Sequence, residues 1–181
     1  PPGQALRRDG AAVGDFVLVT HTLGDGAAAL ASFADTEAFI DEQRDYLSQR
    51  FYCPEPRVKE GVILRALASS AQDISDGLLA DLGHICAASD VGAEVDVESL
   101  PVSEAAQALG QTQGWHWALS GGDDYELVFT LHPDKMPEFA MAQARGEIQA
   151  SVIGRIVSGA GVHCLLDVQP YSVEAEGFRH F

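Results

Sequence analysis

Ala71-Gln72-Asp73-Ile74-Ser75-Asp76-Gly77-Leu78-Leu79-Ala80-Asp81-Leu82 changes its period partway along. Ala71–Ile74 suits a short strand. From Gly77 to about Ala88, Leu78, Leu79, Leu82, Ile85 and Cys86 recur every three or four residues, which predicts a helix with one buried face. Outward from this stretch, Phe16–Thr20 reads as a buried strand after a Gly14-Asp15 turn, and Ala27–Phe33 as the start of a helix. Glu37 to Gln49 is helix-compatible, Pro54-Glu55-Pro56 breaks it, and Arg57 to about Ser69 suits a helix buried through Val58, Val62, Leu64, Ala66 and Leu67. Ala93–Val97, Tyr125–Leu131, Ser151–Val157 and Val162–Asp167 read as strands, and Ser103–Leu109 and Pro133 to about Ala144 as helices. Strands and helices mix without a strict βαβ rhythm. The expected class is therefore α+β, a mixed sheet packed with helices.

The chain of 181 residues carries a net charge of −16, which argues against a grip on nucleic acid. Its hydrophobic fraction of 46% calls for a packed core, and no apolar run is long enough to span a bilayer. Cys53, Cys86 and Cys164 are odd in number and far apart, which fits reduced thiols and a cytoplasmic location. The opening Pro1-Pro2-Gly3 has no Met, so the chain reads as a piece cut from something longer.

Asp73, Ser75 and Asp76 stand where a strand hands over to a helix. One reading is helix capping, since Asp and Ser suit the N-cap and acids suit the first turn. The other is a metal-bridged polyphosphate. Carboxylates beside a phosphate repel it unless a divalent cation lies between them, and Mg²⁺ takes one or two carboxylates with water and phosphate. Ser120-Gly121-Gly122-Asp123-Asp124-Tyr125-Glu126-Leu127 is either a plain turn or a loop whose glycines admit a ligand while an acid holds a cation or polar group. Arg7 and Arg8 are either a solvated pair or a fork for nucleotide phosphate. Trp115-His116-Trp117 suits core packing or ligand stacking, and the tail Gly177–Phe181 either frays or folds over a ligand. Lys-bearing phosphate loops, G-x-G-x-x-G and zinc spacings are absent.

Together these strings resemble the C-terminal half of the thiamine-monophosphate kinase family, within the aminoimidazole-ribonucleotide synthetase-like superfamily. The likeness covers nearly the whole chain. It rests on Arg8-Asp9-Gly10-Ala11, Thr22-Leu23-Gly24-Asp25, Pro54–Val58, Asp73–Leu82, Gly121–Leu127 and the aromatic tail. The resemblance implies ATP-dependent phosphorylation of thiamine monophosphate to thiamine diphosphate. It implies Asp73 and Asp76 as Mg²⁺ ligands, Ser75 and Arg8 as ATP contacts, and Asp124 and Phe178 as substrate contacts. It also implies that residues 1–181 are the C-terminal domain of a two-domain kinase. It implies further that an N-terminal ATP- and Mg-binding domain, which would also carry the homodimer interface, lies outside this chain. His21 stands where the family usually has Gly, Gly26 where Ser is common, and Asp9 where Ser is frequent. The rival expectations are another ATP-dependent enzyme of the superfamily, aminoimidazole-ribonucleotide synthetase-like or selenophosphate synthetase-like, or a non-catalytic acidic module that binds a cation or a partner.

Overall fold

The strand β1 (Phe16–Thr20) is apolar at nearly every position, a pattern that suits a central strand covered on both faces. The computed structural model describes residue 3 and residues 5–172, and β1 is an interior strand, third from one edge of a seven-stranded sheet. The other strands are β2 (Ser70–Asp73), β3 (Gly92–Asp96), β4 (Leu127–Leu131), β5 (Ala150–Val157), β6 (Gly161–Leu166) and β7 (Gln169–Tyr171). Their order is β2-β4-β1-β5-β3-β6-β7. All neighbours run antiparallel except β3 and β6, which are parallel.

Alternation along β1 divides the core. Val17 and Val19 face α4 (Leu78–Ser89) and α5 (Gln111–Ser120), packing with Leu78, Leu82, Ile85, Ala118 and Leu119. Leu18 faces the other way, with Phe129 and Leu131, against α3 (Val58–Leu64) and α6 (Met136–Ala144). A third cluster joins α1 (Asp25–Ala34) and α2 (Asp41–Tyr52) through Ala28, Ala29, Phe39 and Leu47. Leu82 in α4 is fully buried, so Leu82→Ala costs about 2–5 kcal/mol. Cys86 and Cys164 are free and buried, and burial pushes their thiols up, that of Cys164 to about 11.

Three expectations change. Ser103–Leu109 forms turns rather than a helix, closed by Gln107 N donating to Ser103 O and Gly110 N to Gln107 O. The helix starts after Gly110, whose φ of +103° redirects the chain. That helix is α5, and Gly114 lets it approach closely: a Cβ there would meet Val102 Cγ1 at 3.1 Å and Ala106 O at 3.2 Å. α3 ends at Leu64 and buries Leu64, leaving Val58 66% and Val62 53% exposed. Tyr125 falls outside β4 because its φ of +54° breaks the alternation. The short edge strand β7 carried no expectation at all.

Candidate functional site

β2 ends at Asp73, and the next residue anchors the turn. Ile74 is fully buried, its N–H donates to Glu126 O at 2.8 Å, and its carbonyl accepts from Tyr125 N at 2.9 Å. Gly77 then redirects the chain into α4 with a φ of +105°. A Cβ on Gly77 would lie 3.0 Å from the Ser120 carbonyl, so the 75–77 turn packs directly on the 120–123 loop. The carboxylates and hydroxyl expected to cap α4 do not do so. Asp81, 1% exposed, reaches back instead: its Oδ2 accepts from Ser75 N at 2.9 Å and Asp76 N at 3.0 Å. Its Oδ1 accepts from Gln72 Nε2 at 2.6 Å. Asp73 and Asp76 are exposed, and their carboxylates make no hydrogen bond among the described residues.

The glycine-paired loop closes on this turn. Asp123 N donates to Ser75 O at 3.0 Å. A Cβ on Gly122 would lie 2.6 Å from Ser75 O, and one on Gly26 would lie 2.5 Å from Gly122 O. Gly26, where the resemblance favours Ser, thus lets α1 and the loop touch backbone to backbone. His21, where it favours Gly, adopts a φ of +44°, a conformation glycine takes without strain. Asp123 is also left-handed, with a φ of +66°, and its Oδ1 accepts from the Tyr125 hydroxyl at 2.9 Å. That bond, the charge of Asp123 and the nearby charges of Asp73 and Asp76 hold the Tyr125 hydroxyl above its ordinary range.

Asp124 points elsewhere. It is 4% exposed, its Oδ2 accepts from Gly24 N at 2.8 Å and its Oδ1 from Gly26 N at 3.1 Å. It ties the loop to the N-terminus of α1. Burial pushes its carboxyl up to about 7, against the two backbone N–H groups that favour its charge.

Behind the loop lies a buried ion network to which the sequence reading gave no role. Glu126, fully buried, accepts from Arg57 Nε at 2.7 Å, Arg57 Nη2 at 2.8 Å and Arg50 Nη2 at 2.8 Å. Arg50 Nε continues to Asp25 Oδ2 at 3.1 Å. The Asp25 carboxylate also accepts from Thr22, Tyr46 and Ser103. Two cations and two anions are thus paired across α1, α2, the segment before α3 and the segment leading into β4. A signal existed: Glu126 is in phase with Val128 and Thr130 on a buried strand face, where a lone acid needs a partner.

A cavity of about 340 Å³ opens between these loops, lined by Leu30, Ser75, Asp76, His116, Trp117 and Asp123 among others. Trp115 packs on the main core, whereas Trp117 packs under α1 and also lines the cavity. The structure thus brings Ser75, Asp76 and Asp123 to one wall, with Asp73 close by. Arg8 is not among the residues that line the cavity: its carbonyl accepts from Ser89 Oγ, and the preceding Arg7 carbonyl accepts from Ala71 N at 2.8 Å, two residues before Asp73. Arg7 is paired with Asp9. Phe178 lies outside the described residues.

Two exposed carboxylates with hard oxygen donors, unengaged by hydrogen bonds among the described residues, fit the share of a Mg²⁺ sphere that protein ligands supply. Among the described residues no group of three or more metal-ligating side chains forms a closed cage. No helix among them is long and apolar enough to cross a membrane.

Comparison with known proteins agrees with this architecture. The thiamine-monophosphate kinase of Escherichia coli K12 is 41% identical over 184 residues, covering 100% of this chain and 57% of that protein. The crystal structure of a thiamine-monophosphate kinase from Stenotrophomonas maltophilia is 45% identical with a TM-score of 0.84, covering 90% of this chain and 53% of that one. A structure described as AaThiL complexed with AMPPCP and TMP is 33% identical with a TM-score of 0.79, covering 97% and 54%. The chain therefore spans somewhat more than half the length of the relatives it matches. The family model for the C-terminal domain of AIR synthase related proteins matches residues 12–166, and the chain belongs to that family.

Proposed function

We propose that the protein transfers the γ-phosphoryl group of ATP to the phosphate of thiamine monophosphate, and that this chain supplies one wall of the site. The reading draws on relatives named thiamine-monophosphate kinase and on a relative that holds AMPPCP and TMP. The observation that carries it is the hydrogen bond from Asp123 N to Ser75 O, which joins the two acidic loops at the mouth of one cavity.

An oxygen of the thiamine phosphate attacks the γ-phosphorus, forming one P–O bond as the bond to the β-phosphate oxygen breaks and ADP leaves. The acceptor oxygen is already ionised at neutral pH, so no general base is required. The demand is on positioning and charge. Two unit charges about 4 Å apart repel by about 4 kcal/mol at an effective dielectric of 20. Mg²⁺ held by Asp73 and Asp76 would supply the neutralising charge. Ser75, between them, contacts the nucleotide. The apolar wall of Leu30 and Trp117 receives the thiamine. Asp124 acts on the substrate by fixing Asp123 at the cavity wall, and Phe178 closes on the thiamine from the tail. Arg8, whose backbone runs beside β2, contacts the nucleotide. The rest of the ATP site and a homodimer interface belong to the portion that the longer relatives carry N-terminally, and the location is cytoplasmic.

The test is turnover in a two-domain form of the protein. Asp73→Asn and Asp76→Asn each lower it roughly 100-fold, about 2.7 kcal/mol of barrier, with the thermal melt unchanged. Near-normal turnover in both variants overturns the metal role. The 181-residue chain alone forms no thiamine diphosphate, and measurable product from it refutes the division of the site.

A further inference from the structure

We propose that Asp81 is the positioning residue of the cation site, an inference that rests on the reading of Asp73 and Asp76 as cation ligands. An ordinary N-cap lies outside the helix and serves amides within its first turn. Asp81 does the reverse. It lies inside α4, is 1% exposed, and reaches back past Gly77 to the amides of Ser75 and Asp76, two residues that precede the helix. Its other oxygen takes the Gln72 side-chain amide, on the strand that ends in Asp73. One carboxylate therefore fixes the strand end, the turn and the helix relative to one another. Those are the three pieces whose relation sets the spacing of Asp73 and Asp76.

Gln72 shows how firmly the arrangement is imposed. Its Nε2 faces Asp81, while its Oε1 is buried with no partner among the described residues. Turning the amide over would set Oε1 against the Asp81 carboxylate, so the orphaned oxygen stays where it is. The arrangement has a chemical consequence. The Ser75 and Asp76 amides point at an internal anion, so a phosphate cannot use them. A polyphosphate at this turn is held through a cation and side chains, not by the helix terminus.

The test is a titration of the ¹⁵N-labelled chain with Mn²⁺, following paramagnetic broadening of the Ser75, Asp76, Asp123 and Tyr125 amides, with a thermal melt of each variant. Asp81→Ala is expected to weaken Mn²⁺ binding at least tenfold, in line with the roughly 10–100-fold that supporting residues contribute at metal sites. Asp81→Asn is expected to stay within about threefold of the parent. Its carbonyl oxygen still accepts the turn amides, and its NH₂ meets Gln72 Oε1 once that amide turns over. If Asp81→Ala does not fold, Gln72→Ala carries the test, with a loss of about threefold or more. Folded Asp81→Ala or Gln72→Ala with parental affinity overturns the proposal. Asp81→Asn as weak as Asp81→Ala also overturns it, because charge and not positioning would then be at work. No broadening in the parent chain at millimolar Mn²⁺ brings down the underlying cation reading, and is thereby distinguished from the other failures.

Discussion

Glu126→Gln removes one negative charge from the buried network and leaves the shape of the side chain nearly intact. Glu126 is fully buried and the Arg57 side chain is 4% exposed, so neither gains water when the pair is broken. Three guanidinium N–H groups and the Thr20 hydroxyl converge on the Glu126 carboxylate. In the variant, the new amide N–H₂ must face at least one guanidinium. Arg50 keeps Asp25, but Arg57 keeps only Glu55, whose side chain is 75% exposed. Removing one member of a buried pair costs about 3–5 kcal/mol, because the remaining charge is stranded. For a chain of this length about 1 kcal/mol corresponds to roughly 2–4 °C, so the melting temperature falls by roughly 6–20 °C. Thermal and urea unfolding followed by circular dichroism measure it. A drop under about 2 °C would mean the network is solvated, and would refute the reading of Glu126 and Arg57 as a buried pair whose partners depend on each other.

Asp124 gives a pH prediction. Its carboxyl lies at 3.8 ordinarily and at about 7 in the fold, so the folded state binds the proton more tightly. The stability this contributes is fully present below about 3.8 and is lost as pH rises through about 7. The urea midpoint of the parent therefore falls relative to Asp124→Asn on going from acid to neutral pH, and a constant difference between the two contradicts it. Gly122→Ala forces a Cβ to within 2.6 Å of Ser75 O, so the two acidic loops must part at a cost of about 1–3 kcal/mol. Its urea midpoint falls and its Mn²⁺ broadening at Asp123 weakens, and an unchanged value of both contradicts the close packing of the loops.

β1 and α4 were legible because their apolar periods are local, and each segment buries what its own pattern displays. α5 was not, since Gly114 and two tryptophans are poor helix formers and its stability comes from tertiary contact with Val102 and Ala106. Asp73, Ser75 and Asp76 were legible as a site because they are adjacent. The choice between Asp123 and Asp124 was not, because positive φ at Asp123 and Tyr125 scrambles the alternation that would separate inward from outward acids. The capping role went to Asp81, which looked like one more polar position on a helix. The partnership of Asp25, Arg50, Arg57 and Glu126 joins distant positions with no repeating interval, so only the fold reveals it.

The sheet order also bears on synthesis. β1 is made well before its two neighbours, which begin at Leu127 and Ala150. At about 5–20 residues per second the ribosome needs roughly 5–21 s to reach β4 after β1 is complete, and a few seconds more to reach β5. Until β4 arrives Val17, Leu18 and Val19, fully hidden in the finished molecule, hang from the nascent chain with neither flank hydrogen-bonded. This strand is where a holding chaperone has most to protect, and where premature release carries the greatest risk of aggregation.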